Sequence, residues 1–140
     1  MSEQDFTHFG RKDFDEVVEV ITKNDSRYDR GAYLFIRKAL DFTFKSIQEK
    51  KPPRSSNHVS GQELLEGIRE FSLDQFGPMT LTLFRSWGIR QGEDFGEIVF
   101  NLVDYGVFGT TEKDSRDDFS GILDFYEAFE KPYLPQSKIS

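Results

Sequence analysis

The stretch from Gly31 to Lys50, GAYLFIRKALDFTFKSIQEK, constrains the fold more than any other part of the chain. At helical spacing it carries two apolar stripes. Tyr33, Ile36, Leu40, Phe44 and Ile47 form one, and Ala32, Phe35, Ala39 and Phe42 form the other. A helix with one stripe can lie on a surface, whereas a helix with two must be covered on both sides. The sequence therefore predicts a helical domain assembled around this segment.

The covering elements are legible on either side. Phe14, Val17, Val18 and Ile21 recur at i, i+3, i+4 and i+7, which predicts an amphipathic helix ending near Asn24. After the connector KKPPRSSN, Ser60 and Glu63 form an S-x-x-E capping box, with Val59 and Leu64 at the staple positions. That helix buries Leu64, Leu65, Ile68 and Phe76 and stops at Gly77-Pro78. A fourth helix is expected from Pro78 to Trp87, with Met79, Leu83, Phe84 and Trp87 inward. Gly88 then turns the chain and Ile89 points back to the core. A fifth, from about Glu93 to Tyr105, carries Phe95, Ile98, Val99 and Leu102 on one side, with Gly106 beyond its end.

Val107-Phe108 and the alternating Phe119–Phe125 read as two short strands, and KPYLPQSKIS after Phe129 as an extended tail. The expectation is a single domain over 1–140, with its ordered core at about 12–130. It is mainly α, with about five helices and a short C-terminal β-hairpin. Residues 78–125 then follow the order of a winged helix: helix, glycine turn, helix, hairpin. Through Asp114 and Arg116, KDSRDD also resembles the wing tip of MarR-like regulators.

Charge opposes the DNA-binding role that this outline suggests. Of the chain's net −7, residues 1–53 contribute nothing, and residues 91–130 hold eleven acids against two bases. Duplex binding rests on Lys and Arg neutralising phosphates. The fifth helix offers Glu93, Asp94, Glu97 and Asp104, with Asn101 as its only amide, and the tip adds Glu112, Asp114, Asp117 and Asp118. These features favour a protein partner of unidentified nature, met through Asp94, Glu97, Asn101, Asp114, Arg116, Asp117 and Asp118. An alternative is a nucleic-acid-binding regulator that uses the basic patch Lys45, Lys50, Lys51 and Arg54. The asymmetry of charge along the chain also permits a homodimer.

Chemistry is sparsely signalled. Cysteine is absent, which removes disulfides and thiol nucleophiles. No G-x-S-x-G, Walker or dinucleotide glycine pattern occurs, and Asp114, Asp117 and Asp118 lack the calcium-loop spacing. No catalytic set, cofactor or metal is expected, although an enzyme with an unfamiliar site would need His58 in a deep pocket with carboxylates. Fifteen of the 140 residues are Phe, so much of the core volume should be aromatic. Aromatics near the termini (Phe6, Phe9, Tyr126, Phe129 and Tyr133) either fold back over the helices or form a partner surface. The polar N-terminus and the lack of a long apolar run point to a cytoplasmic protein without a membrane span.

Taken together, AYLFIRKAL, HVSGQELLEGIREF, FGPMTLTLFRSWGI and EDFGEIVFNLVDYG followed by DDF resemble an uncharacterised bacterial family. It is the group of conserved hypothetical proteins largely restricted to Planctomycetes and Verrucomicrobia. The similarity spans roughly residues 15–125. It implies a single cytoplasmic domain and brings no activity, substrate or catalytic residue. If its motif positions share a role, His58, Trp87, Asp94, Phe95, Glu97 and Asn101 are the ones to test.

Overall fold

The computed structural model describes residues 11–50, 58–109, 114–121 and 123–135. It contains five α-helices: α1 (Arg11–Asn24), α2 (Arg30–Gln48), α3 (Gly61–Phe76), α4 (Thr80–Ser86) and α5 (Gly92–Asp104). The double stripe of α2 has the consequence expected of it. Ala32, Tyr33, Phe35, Ile36, Ala39, Leu40 and Ile47 are all buried, and α1, α3 and α5 pack around the helix. Asp29 caps its start by accepting a hydrogen bond from the Gly31 amide at 2.8 Å. Where α3 crosses α2, Gly67 lies directly on Thr43, and a Cβ there would overlap the threonine side chain.

Aromatic rings fill the centre. Phe84 is wholly buried and meets Phe35, Phe95, Phe125 and Phe129 at centroid distances of 5.3–5.8 Å, three of them edge to face. Such contacts add about 0.5–1.5 kcal/mol per pair beyond area burial. They tie three separate parts of the chain, α2, α5 and the C-terminal segment, to one ring. Phe129 therefore folds back over the helices. Phe6 and Phe9 lie outside the described residues.

Helix ends follow the local sequence closely. Ser60 and Glu63 form the reciprocal capping box at the start of α3. Pro78 sits in a single 3-10 turn, Gly77–Met79, so α4 begins later than the proline suggested. Met79 is 58% exposed rather than inward. At the end of α4, Gly88 (φ 90°) lets the Ile89 amide donate back to the Phe84 carbonyl at 2.9 Å, and its own amide donates to Arg85. That is a Schellman cap, with the wholly buried Ile89 supplying its apolar contact. The same motif closes α5. Gly106 (φ 79°) donates to Val103, and the Val107 amide donates to the Leu102 carbonyl at 2.9 Å.

The expected hairpin is not present. Among the described residues there is no strand. Val107 and Phe108 are buried because they complete the α5 cap. Arg116–Phe119 forms a 3-10 turn, in which Ser115 accepts from the Asp117 amide and Asp118 accepts from the Ser115 amide. Short polar side chains that bond their own backbone compete with a sheet ladder, and here they win. The turn buries Phe119 against Gly61 and Gly96, across the start of α3 and the side of α5. Nor does the expected tail begin extended, and residues 136–140 lie outside the described residues. Tyr126–Glu130 forms one wide π-turn, and Lys131–Tyr133 a further 3-10 turn. No helix among the described residues is long and apolar enough to cross a membrane.

Candidate interaction site

Three of the four acids of α5, Glu93, Asp94 and Glu97, bond groups of the protein itself, while Asp104 is exposed. Asp94 sits at the third position of the helix and serves three donors. Its Oδ2 accepts from the amides of Arg90 and Gln91 at 2.8 and 3.0 Å, and its Oδ1 accepts from the Tyr28 hydroxyl at 2.6 Å. Burial, and then the hydrogen bond to Asp94, push the Tyr28 phenol well above its usual range. Glu97 lies between two guanidinium groups, 3.4 Å from Arg27 and 3.6 Å from Arg116. Arg116 also covers the Phe100 ring at 5.1 Å and approaches Asp104 at 3.9 Å.

Asn101 joins this network from the inner side. Its amide donates to Asp25 at 3.1 Å and to the Tyr33 hydroxyl at 3.0 Å. Asp25 in turn receives Arg27 through Nε and Nη2. That guanidinium holds the Asp25 carboxyl far below the usual carboxylate range. The turn between α1 and α2 is thereby clasped to α5. A further backbone bond, from the Asp29 amide to the Trp87 carbonyl at 3.0 Å, fixes the same turn to the end of α4. Within α5 only Asp104 is exposed, so the helix presents no open face along its length.

The other residues singled out from the sequence are dispersed around this frame. Phe95 is wholly buried in the aromatic cluster, and Trp87 packs on Gly31 and Phe35. His58 and Asp114 share a hydrogen bond of 3.1 Å across 56 positions, which ties the approach to α3 to the 3-10 turn. Beside them lies a cavity of about 40 Å³, lined by Ser60, Leu40, Phe108, Ser115 and Asp118 among others. It is small, with room for a few water molecules. Among the described residues no three His, Cys, Asp or Glu side chains are placed to hold a metal ion. Of the seven residues proposed to meet a partner, only Arg116 and Asp117 are exposed.

Of the basic patch, Lys45 and Lys50 fall within the described residues. Lys45 pairs with Asp41 at 3.3 Å. Lys50, also exposed, lies close enough to Glu66 to help lower its carboxyl. Lys51 and Arg54 lie outside the described residues.

One surface feature among the described residues is one that sequence reasoning missed. An open groove of about 380 Å³ runs between α3 and the C-terminal segment. Gln62, Leu65, Glu66, Arg69 and Leu73 form the α3 wall, while Leu123, Asp124, Glu127, Ala128 and Pro132 form the other. The signal that could have exposed it is a second stripe on α3, at positions 62, 65/66, 69 and 73, beside the core stripe of Leu64 and Ile68. Arg69 is held by Glu66 and lies 3.8 Å from Glu70, and its hydrogen bond pulls the Glu66 carboxyl below its usual range. Among the described residues, Tyr126, Tyr133 and Leu134 are exposed on the C-terminal segment that forms the second wall, although none of them lines the groove itself. The π-turn carrying Tyr126 packs against both adjoining 3-10 turns. Set against known proteins, the chain matches no family model, no curated protein and no solved structure.

Proposed function

We propose that the chain is a non-enzymatic protein-interaction domain of the cytoplasm, whose working surface is the groove between α3 and the C-terminal segment. The observation that carries this reading is the groove itself. It has an apolar floor and acidic edges, and the segment that forms its C-terminal wall also carries the exposed Tyr126 and Tyr133. Exposed aromatics on the wall segment of an apolar depression are the composition of a docking patch. The π-turn points the same way, since such turns are uncommon and concentrate at functional places.

In this reading α4, the Gly88 turn and α5 keep the outline of a helix-turn-helix but serve as an internal scaffold. A helix that reads DNA must enter the major groove with a free, base-contacting face. The sequestered face of α5 and the carboxylates around it argue against that role. We further infer membership of the Planctomycetes and Verrucomicrobia family that the motifs resemble. Trp87, Asp94, Phe95, Glu97 and Asn101 all sit in the core or the clasp, which supports reading the shared motifs as fold determinants.

The test is a quantitative pull-down from cells that produce the protein natively, comparing the wild type with a Tyr126→Ala/Tyr133→Ala variant. A partner enriched with the wild type and lost from the variant is the expected result. Only background proteins with both baits, or equal recovery, would count against the proposal.

A further inference from the structure

We infer that the occupant of the groove is a basic amphipathic helix of a partner protein, an inference that rests on the interaction-domain reading above. Two observations define it. The first is length. The wall residues of α3 run from Gln62 to Leu73 with a spacing of three to four, so the groove follows one helix face for three turns, about 16 Å. A helix of similar length laid alongside would present apolar residues at i, i+4 and i+7 to the half-buried floor of Leu73, Leu123 and Ala128.

The second is charge. Glu66, Asp124 and Glu127 line the groove against Arg69, and Arg69 is already engaged by Glu66. Glu130 adds a further exposed acid, while Lys131 lies 3.4 Å from Glu127. Lys50 lies near Glu66 on the α2 side, so the surplus of negative charge belongs to the C-terminal wall. A helix with apolar residues on one side and Lys or Arg along the edge facing that wall would complement it. An acidic helix would meet like charge there.

The probe is a synthetic peptide of about 12 residues, long enough for three helical turns. It has leucines at helical spacing and lysines between them. Two controls accompany it: one with glutamate in place of lysine, and one with the same composition but scrambled leucines. Backbone amide NMR shifts on the full chain report where each binds, and fluorescence anisotropy at two salt concentrations reports how tightly. The Leu/Lys peptide should saturate one site. Its shifts should be confined to residues 62–73 and 123–132, and affinity should fall with salt. Leu73→Lys should weaken it by roughly tenfold or more.

Leu73 is partly packed on the core. The exposed pair Glu66→Lys/Glu127→Lys therefore provides a second variant that leaves the fold intact and should weaken binding by a similar factor. Shifts mapping to Asp104 and Asp117, equal binding by the scrambled or glutamate peptide, or no saturable binding would each overturn the inference. If the peptide fails while the pull-down still loses its partner with Tyr126→Ala/Tyr133→Ala, the interaction-domain reading stands and only the basic-helix occupant is wrong.

Discussion

Asp94 is where the inward-facing account of α5 can be broken most cleanly. One carboxylate accepts the Tyr28 hydroxyl and two backbone amides at the start of the helix. A hydrogen bond to a charged group contributes about 1.5–3 kcal/mol. The acid at a helix N-terminus adds about 0.3–1 kcal/mol through the macrodipole. Asp94→Asn keeps one acceptor oxygen and turns an NH₂ donor towards either the phenol or the amides. A loss of about 2 kcal/mol is expected, and about 3 kcal/mol for Asp94→Ala. For a chain of this size each kcal/mol moves Tm by about 3–5 °C. Asp94→Asn should therefore melt about 6–10 °C lower.

Urea unfolding of the wild type, Tyr28→Phe, Asp94→Asn and the double variant completes the test. The two side chains touch, so the cycle should show a coupling of about 1–2 kcal/mol. A Tm within about 1 °C of wild type for Asp94→Asn, together with no coupling, would refute the reasoning. Asp94 would then be a solvated surface acid available to a partner.

Gly67→Ala should destabilise despite its better helix propensity. The added methyl overlaps Thr43, so overpacking of about 1–3 kcal/mol opposes a gain of at most about 1 kcal/mol, and Thr43→Ala should recover part of the loss in chemical denaturation. Ser72→Ala should be neutral or slightly stabilising by the same assay, because the Ser72 hydroxyl is buried without a hydrogen-bond partner. The two limbs of the pH–stability curve should have separate origins. Asp25 is held below its usual range, so its contribution is present above about pH 4 and lost as the pH falls towards its folded value; Asp25→Asn should flatten that acid limb. Tyr28 is held above its usual range, so its contribution is complete below about pH 10 and lost as the pH rises through its folded value; Tyr28→Phe should remove that part of the alkaline loss, read by circular dichroism.

What could be read from the residues was local or periodic. The two stripes of α2 announced its central place, and S-x-x-E announced the start of α3. The glycine turn at Gly88 fits the helix-turn-helix order of a winged helix. Its glycine and isoleucine instead perform the chemistry of a Schellman cap, which any helix can use. The hairpin failed for a related reason. Alternation over Phe119–Phe125 says nothing about Ser115 and Asp118, whose side chains close a turn just before it.

The clasp and the groove were hidden by sequence distance. A count of charges on α5 assigns its acids to solvent, yet Arg27 is 70 positions from Glu97, and Tyr28 is 66 from Asp94. Likewise the Gln62–Leu73 stripe becomes one wall of a groove only when Leu123–Pro132 folds back beside it. Pairings at such separation leave no mark in local periodicity.

The central claim is that Asp94 and Glu97 of α5 are engaged within the fold and that partners meet the α3 and C-terminal surface. Photo-crosslinking in the producing cells tests it most directly, with the reactive residue placed in turn at Tyr126 and at Asp104, both exposed. The account predicts a discrete adduct from position 126 and none from position 104. An adduct from position 104 with none from 126 would contradict it.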